Sequence, residues 1–350
     1  MAKCRWIAGF FLLCAASLVA QVSAVISGTV TDPSGAVVPS ATVSATNTET
    51  GAMRETVADG AGRYQMSLLP VGSYEIHAKK TGFQEVVRTG IQLAVNQSAT
   101  VDLTLQVGQS SQQITVNEDA PLVSVSTSDA SGVINQLQIR DLPLNARSFD
   151  LLITLDPGVV NFTWEKVGGT GVSNSTNGNN FVVEGNRPQQ NLFLLNGVEF
   201  TGAAENNMQP GGTSGVLLGV DAVREFNVLR DSYGAEYGKR PGGQVLIVTQ
   251  SGSNDFHGSI YEFLRNSALD ARNFFDPNSV PGFQRNQYGV ALGGPIKKDK
   301  TFIFGNFEGF QQHLHQTGVD LVPDNNARNG MLPCKLVISP RVTTVSDPAS

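Results

Sequence analysis

The sequence predicts a mainly β, multidomain protein that is exported from the cytoplasm. Its composition is rich in Val, Thr, Ser and Asn and includes 37 glycines, which favours strands and tight turns over helices. Short runs with an apolar residue at every second position recur after residue 25, as in strands that bury one face. A hydrophobic segment opens the chain, and no later segment is apolar over the length of a membrane-spanning helix.

Residues 1–24 are predicted to be a secretory signal peptide. A basic start is followed by the apolar run Ile7–Ala20 and by the small residues Val22-Ser23-Ala24, which suit a signal peptidase. The apolar run, about 14 residues, is shorter than the roughly 20 that a membrane-spanning helix needs. We therefore expect cleavage after Ala24.

The mature chain is acidic and keeps one cysteine. Loss of Lys3 and Arg5 with the signal lowers 24 basic residues to 22, against 30 acidic ones, for a net charge of −8. A nucleic-acid partner is not expected, because it requires a concentrated basic face. Cys4 and Cys14 leave with the signal, so the remaining Cys334 has no partner for an internal disulfide.

Residues 25–106 are predicted to fold as a β-sandwich. The apolar Val101, Leu103 and Leu105 alternate with polar residues, so one face of this segment is buried and the other faces water. Turn signals such as Asp59-Gly60 separate the runs. The predicted strands are Ile26–Thr31, Ala41–Thr46, Arg63–Ser67, Tyr74–Lys79, Val86–Leu93 and Ala99–Gln106.

The same residues resemble the carboxypeptidase regulatory-like domain. The resemblance implies a transthyretin-like, or carbohydrate-binding-like, β-sandwich. It does not imply a peptidase, because the sequence contains no zinc-binding H-x-x-E or H-E-x-x-H pattern. The residues that carry it are Gly28-Thr29-Val30-Thr31-Asp32, Gly62-Arg63-Tyr64, Leu69-Pro70-Val71-Gly72-Ser73-Tyr74 and Gly82-Phe83.

Residues 107–130 are predicted to be a polar linker that contains a short β-prone segment. This segment comprises Gln113, Ile114, Thr115, Val116 and Asn117. Two interpretations remain open. The segment is the last strand of the sandwich or the first of the next domain, or it is an extended segment that adds a strand to a periplasmic partner. Strand addition uses backbone hydrogen bonds and therefore demands little of the sequence.

Residues 131–252 are predicted to form an α/β domain. Ile134–Leu142 is predicted to be a short helix that ends before Pro143, and Arg147–Leu155 a helix stopped by Pro157-Gly158. Val220–Phe226 is predicted to be a helical turn. The predicted strands are Phe181–Glu184, Asn191–Leu195 and Gln244–Thr249, with a polar loop at Val167–Asn180.

This α/β domain resembles the plug of TonB-dependent receptors in its Oar-like form. Asn196 departs from the family pattern, which has Asp before Gly-Val, but Asn also suits a turn before glycine. Gly242-Gly243 is expected to let the last plug strand turn sharply into a barrel wall. The resemblance rests on Leu142-Pro143-Leu144-Asn145-Ala146-Arg147, Glu184-Gly185-Asn186-Arg187, Asn191–Val198, Val223-Arg224-Glu225-Phe226, Tyr233–Gly238 and Gly242–Gly252.

Residues 253–350 resemble the start of the Oar-like outer-membrane β-barrel. Tyr288, Val290 and Leu292 alternate with small or polar residues, as lipid-facing side chains do. Lys297-Lys298-Asp299-Lys300 is predicted to be a hairpin turn, and the aromatic Thr301–Phe310 suits a membrane interface. The resemblance is carried by Phe256-His257-Gly258-Ser259, Leu269–Phe275, Leu292-Gly293-Gly294-Pro295-Ile296 and Gly305-Asn306-Phe307-Glu308-Gly309.

Together the resemblances imply a transporter in the outer membrane of a Gram-negative bacterium. Its expected partners are the TonB-type energy-coupling protein of the inner membrane, the outer-membrane lipid and an unidentified solute, with carbohydrate among the possibilities. Gln113–Asn117 would be the TonB box, and the sandwich would lie on the periplasmic side. No cofactor, metal site or catalytic residue is predicted, so the protein is not expected to be an enzyme.

The alternative function is that of a secreted or surface protein for carbohydrate binding or adhesion. Such a protein would have no reason to contain residues 142–310.

The length of the chain is a separate point. Family members continue beyond this length and close a barrel, whereas an open sheet leaves unpaired edges in lipid. The chain is therefore expected to be the N-terminal part of a longer protein.

Overall fold

A computed structural model describes residues 24–108, 113–117, 130–144, 147–161, 179–200, 218–231, 233–234, 237–272, 280–314 and 328–329. The predicted signal peptide up to residue 23 and most of the predicted 167–180 loop lie outside the described residues. The chain divides into two compact units. The first comprises the residues up to Ile260 together with Gly289–Glu308, and the second comprises Tyr261–Tyr288 and the residues from Gly309 onward.

The N-terminal part of the first unit is a sandwich of two β-sheets. Its strands are β1 (Ala24–Thr31), β2 (Thr42–Asn47), β3 (Met53–Val57), β4 (Arg63–Leu69), β5 (Gly72–Lys79), β6 (Glu85–Leu93), β7 (Ser98–Thr100), β8 (Leu103–Thr104) and β9 (Gln113–Asn117). One sheet has the order β4-β1-β7, with β8 also paired to β1. The other sheet has the order β3-β2-β5-β6-β9.

The predicted sandwich strands are confirmed as β1, β2, β4, β5 and β6. The predicted strand Ala99–Gln106 is instead two short strands, β7 and β8, which pair in parallel with successive parts of β1. Strand β3 was not predicted, because Met53–Val57 is almost wholly exposed and therefore has no apolar alternation. Its position is set by antiparallel pairing with β2 rather than by burial.

The core of the sandwich lies between its two sheets. Its close packing explains why the regulatory-like motif has glycine at position 28. Val101, Leu103 and Leu105 are buried while the residues between them are exposed, which confirms the predicted period of two. The Tyr64 hydroxyl donates a hydrogen bond of 2.6 Å to the Val101 carbonyl, and burial raises the pKa of the Tyr64 phenol. A Cβ on Gly28 would lie 2.0 Å from the Val101 carbonyl oxygen, so only glycine fits there.

The plug-like part of the first unit is a mixed sheet covered by short helical segments. Its strands are β10 (Ala130–Ile134), β11 (Val159–Asn161), β12 (Phe181–Val183), β13 (Leu192–Leu195), β14 (Val198–Glu199), β15 (Val223–Asp231) and β16 (Gln244–Thr249). The main sheet has the order β10-β15-β16-β13-β14, and β11 pairs with β12. Strands β13 and β16 are parallel, whereas β15 is antiparallel to both β10 and β16.

The short helix before Pro143 is confirmed as α1 (Gln136–Asp141), and two other helical predictions need correction. Asn135 caps α1 and forms a reciprocal pair of hydrogen bonds with Gln138. The second predicted helix is a 3₁₀ helix at Phe149–Leu155. The predicted helical turn at Val220–Phe226 was wrong beyond Ala222, because a 3₁₀ turn at Val220–Ala222 leads directly into β15.

Two local predictions in the plug-like domain have different outcomes. The Asn196-Gly197 turn between β13 and β14 is confirmed, with φ of 50° and 83°, and the Asn196 side chain bonds Thr249. Gly242 and Gly243 do not turn the chain into a barrel wall, since the β16 that follows is a central plug strand. A Cβ on Gly242 would lie 2.7 Å from the Gln190 carbonyl, so these glycines permit close packing within the plug.

The barrel-like region consists of β17 (His257–Asn266), β18 (Phe283–Lys297) and β19 (Thr301–Leu314), in that order in one sheet. On β18, Tyr288, Val290 and Leu292 are 39%, 44% and 61% exposed, while Gln287 and Ala291 are buried, which confirms the predicted alternation. The predicted turn is also confirmed, since residues 298–300 join β18 to β19. The part of the chain that the structure describes contains no closed barrel.

Candidate functional site

The predicted partner-binding segment Gln113–Asn117 is strand β9, at the edge of the five-stranded sandwich sheet. It pairs in parallel with β6, in a register that runs from Glu85 opposite Gln113 to Thr89 opposite Asn117. No described strand pairs with the other edge of β9. In this conformation the segment is therefore the last sandwich strand, and it presents a row of outward-facing backbone groups to a further strand. Its role as a TonB box stays a prediction.

Strand β9 is also the last described element before the plug. Residues 118–129 follow it, and the chain then enters β10, which lies at one end of the plug sheet and, among the described strands, pairs with β15. Along the covalent chain, β10 is therefore the first plug strand that tension would reach once β9 has left β6.

A partly buried ion pair joins the sandwich to β15. The two terminal nitrogens of Arg224 donate to the two carboxylate oxygens of Glu49, each at 2.8 Å. The side chains of Arg224 and Glu49 are 19% and 31% exposed, so this bidentate pair is partly shielded from solvent. Burial would raise the pKa of Glu49, but the hydrogen bonds and charge of Arg224 outweigh it and hold that pKa below its ordinary value. The pair therefore stabilises the contact at neutral pH and is lost as pH falls through the lowered pKa.

A β-bulge lets two successive residues of β15 face the sandwich. The register of β15 against β16 shifts between Val223 and Glu225, which re-aims the intervening Arg224. A Glu225 carboxylate oxygen accepts a hydrogen bond from the backbone N–H of Val95, just beyond β6. Burial raises the pKa of Glu225, against the opposing effect of this hydrogen bond. Asn227 donates to the carbonyl of the same Val95 at 3.3 Å.

Apolar side chains complete the contact between the sandwich and the plug. Val71 and Val95 of the sandwich form one buried cluster with Leu229 of β15 and Leu246 of β16. Glu225, Asn227 and Leu229 are two residues apart along β15 and so share one face. The other face of β15 carries Phe226 and Val228, which belong to the plug core. Strand β15 is therefore covered on both faces, by the plug core and by the sandwich.

Gly132 of β10 packs against a buried carboxylate, that of Asp156. Asp156 is 6% exposed, and a Cβ on Gly132 of β10 would lie 2.4 Å from one of its oxygens. Burial raises the pKa of Asp156, against the charge of Arg230, whose Nε lies 3.4 Å away. Arg230 also donates to the Pro157 carbonyl at 3.0 Å. Departure of β10 would uncover this group.

The loop between β2 and β3 of the sandwich contacts the short turn between β18 and β19. The backbone N–H of Asn254 donates to the Glu49 carbonyl at 2.8 Å, and the Asn254 side chain donates to Asp299 at 2.7 Å. A Cβ on Gly51 would lie 2.4 Å from an Asp299 oxygen, so the loop and the turn are closely packed. Glu49 thus contacts the plug with its side chain and the region after the plug with its backbone.

None of the residues in this interface was predicted from the sequence to be functional. Arg224 and Glu225 lie in the Val-Arg-Glu-Phe motif, which indicated only the resemblance to the plug family. The sequence did contain a signal for an interface here, because two adjacent charged residues lie between Val223 and Phe226, both of which are buried. Among the described residues, no helix combines the length and hydrophobicity needed to cross a membrane.

Comparison with known proteins agrees with this architecture. Three protein-family models match the chain: the carboxypeptidase regulatory-like domain at residues 25–106, the TonB-dependent receptor plug domain at 123–245, and an outer membrane beta barrel domain at 248–350. A sandwich, a plug and barrel strands in this order define an outer-membrane receptor of the plug-and-barrel class.

The TonB-dependent transporter Oar of Myxococcus xanthus is 26% identical over 320 residues, which cover 87% of this chain and 28% of that protein. Its plug domain matches that of the TonB-dependent receptors, and the chain is similar to their Oar-like form, which has an N-terminal carboxypeptidase regulatory-like domain. It spans little more than a quarter of the length of that relative.

Two solved receptors are similar to part of the chain. The siderophore receptor PirA from Acinetobacter baumannii is 23% identical, with a TM-score of 0.35, over 51% of this chain and 24% of that one. A mutant of the ferric enterobactin receptor PfeA from Pseudomonas aeruginosa is 21% identical, with a TM-score of 0.34, over the same shares.

Proposed function

We propose that this chain takes part in energy-coupled transport of a solute across the outer membrane, with Gln113–Asn117 as the strand that the energy-coupling protein binds. The observation that carries the proposal is the position of β9, which ends twelve residues before the first plug strand and whose outer edge is not paired with any described strand. A partner strand added to that edge would be connected to β10 by the chain itself.

The added strand would be recognised mainly through its backbone. Strand addition satisfies the unpaired N–H and C=O groups along an edge, and side chains then contribute specificity. This mode suits Gln113–Asn117, because its three β-branched residues, Ile114, Thr115 and Val116, favour an extended conformation. Substitutions that keep the backbone donor should therefore be tolerated better than substitution by proline.

The first prediction concerns a proline in this strand. In the intact protein, Val116→Pro should abolish binding of the purified periplasmic domain of the TonB-type protein, because proline removes a backbone donor and fixes φ. Val116→Ile keeps the donor and the β-branched shape and serves as the matched control. Binding is measured with detergent-extracted protein, and outer-membrane insertion is checked by fractionation. Binding by Val116→Pro equal to that of the control would place the TonB box elsewhere.

We further propose that the sandwich lies on the periplasmic side of the outer membrane. Outer-membrane barrels have short periplasmic turns and longer extracellular loops. The connection between β18 and β19 is the three-residue turn 298–300, whereas sixteen residues, 267–282, join β17 to β18. The short turn is the one that packs against Gly51 of the sandwich. The contact therefore supports a sandwich at the periplasmic end of the hairpin.

The second prediction tests this orientation with single cysteines in a protein that carries Cys334→Ser. Leu269→Cys, in the long connection, should react with a membrane-impermeant maleimide in intact cells. Thr81→Cys in the sandwich and Lys298→Cys in the short turn should react only after the outer membrane is permeabilised. All three positions are exposed in the structure, so accessibility of the side chain is matched. Labelling of Thr81→Cys in intact cells would reverse the proposed orientation.

The carbohydrate-binding or adhesion alternative is not favoured. It accounts for the sandwich alone, whereas the plug and barrel matches cover residues 123–245 and 248–350. Relatives of this type are transporters rather than enzymes.

A further inference from the structure

We propose that the sandwich is a clamp on the plug: it holds β15 in place, so that tension on β9 removes β10 alone from the plug sheet. The proposal rests on the proposed function, since it assumes that the energy-coupling protein pulls on Gln113–Asn117. It gives the carboxypeptidase regulatory-like domain a mechanical role in transport.

The loaded strand is an edge strand of the main plug sheet. Strand β10 is five residues long, lies at one end of the sheet and, among the described strands, pairs with β15. Strand β15, in contrast, pairs with β10 on one edge and β16 on the other. Because the chain enters the plug through β10, a pull that has freed β9 from β6 loads the β10–β15 pairing before any other pairing of the plug sheet.

The clamp acts on the strand that β10 must leave. Arg224, Glu225 and Asn227 bind Glu49 and the two backbone groups of Val95, and Leu229 packs on Val71 and Val95. These contact residues of the plug lie on β15, with Leu246 on β16, and none of those described lies on β10. The contact therefore survives the departure of β10 and keeps β15 against β16.

The same domain also holds the segment that is pulled. Strand β9 pairs with β6, and Val95 follows the end of β6 by two residues. The sandwich therefore carries the partner-binding strand at one edge of its sheet and holds the plug at the end of the neighbouring strand. When β9 leaves β6 and tension passes along the chain to β10, the rest of the sandwich therefore stays in contact with β15.

The clamp predicts that opening is confined to one side of β15. Departure of β10 uncovers Asp156, which lies under Gly132, whereas Val245 in the middle of the retained sheet stays buried. Asp156 suits cysteine substitution, because one of its carboxylate oxygens has no hydrogen-bond partner and because Arg230 keeps its contacts with Glu184 and the Pro157 carbonyl when the carboxylate is removed. Val245 is 1% exposed and provides the matched buried position.

The third prediction uses the intact protein with Cys334→Ser, in cells that contain the energy-coupling protein. In energised cells a small maleimide should label Asp156→Cys but not Val245→Cys, and a protonophore should abolish the labelling. Adding Arg224→Glu breaks the clamp and should raise labelling of Val245→Cys from background to the level of Asp156→Cys. The charge swap Glu49→Arg with Arg224→Glu should return Val245→Cys to background. Glu49→Gln replaces Arg224→Glu as the clamp-breaking variant where the latter does not reach the outer membrane.

The outcomes separate the clamp from the proposed function. Energy-dependent labelling at both positions in the otherwise unchanged protein would overturn the clamp and leave energy coupling intact. Labelling at neither position, combined with no binding of the TonB-type periplasmic domain, would overturn the proposed function and the clamp together. Labelling of Asp156→Cys alone that Arg224→Glu does not alter would also overturn the clamp.

Discussion

A disulfide between β10 and β15 is expected to block opening of the plug without weakening capture of the energy-coupling protein. Ala130 is paired with Asp231 in the antiparallel pair, next to a register shift between Ala130 and Ser131, and opposite positions of paired strands have Cα separations within the range that a disulfide bridges. Under oxidising conditions, with Cys334→Ser, energy-dependent labelling of Asp156→Cys should fall to the level of de-energised cells. A reductant should restore it, because a covalent bond then no longer holds β10.

Two controls make this result specific. Ala130→Cys and Asp231→Cys as single substitutions should leave the labelling of Asp156→Cys unchanged by oxidant. The crosslinked protein should still bind the purified periplasmic domain of the TonB-type protein, since β9 is not altered. Full labelling of Asp156→Cys in the crosslinked protein would mean that β10 does not leave β15 during opening.

Gly28→Ala is expected to cause the largest loss of stability of any single substitution that we propose in the sandwich. The added Cβ would lie 2.0 Å from the Val101 carbonyl oxygen and 3.1 Å from the Tyr64 ring. To relieve this clash, β1 must move away from Val101. That movement breaks the hydrogen bond from Tyr64 to the Val101 carbonyl and opens the core. Overpacking and a lost buried hydrogen bond together cost about 3 kcal/mol or more. For a domain of this size the melting temperature should then fall by on the order of 15 °C.

Gly60→Ala is the matched control for this substitution. No atom lies within 4 Å of the Cβ that it would add, and Gly60 does not have a positive φ. Its melting temperature should stay unchanged or rise slightly, because alanine restricts the unfolded chain. Both variants are compared by circular dichroism of residues 25–117, which include β9. A Gly28→Ala domain that melts like the Gly60→Ala domain would contradict the tight approach of β1 to Val101.

Local physical chemistry explains why the sandwich was predictable from the sequence. Strands such as β5 and β6 bury one face and leave the other more exposed, so apolar and polar residues tend to alternate along their sequences. The turn at Asn196-Gly197 was predictable for a similar reason, since two residues with positive φ favour Asn and Gly. The short helix α1 was bounded by Asn135 and Pro143, which are signals within one or two turns.

Strand β15 could not be recognised in this way. The sandwich covers Glu225, Asn227 and Leu229 on one face, and the plug core covers Phe226 and Val228 on the other. Burial on both faces removes the alternation, and a bulge at Arg224 disturbs what remains. The residues around Val223 therefore resembled a helical turn, although both neighbours in the sheet hold them extended.

The sequence by itself determined the sandwich, the presence of a plug and the alternation of β18, because each depends on residues close together in the chain. Only the tertiary structure decided the pairing of β9 with β6 and the contact of Glu49 with Arg224, residues 175 positions apart. A charged residue is compatible with many exposed positions, and its sequence neighbours do not reveal a partner so distant. The partner is chosen when two domains bury their surfaces together, because a charge that leaves water must then be matched.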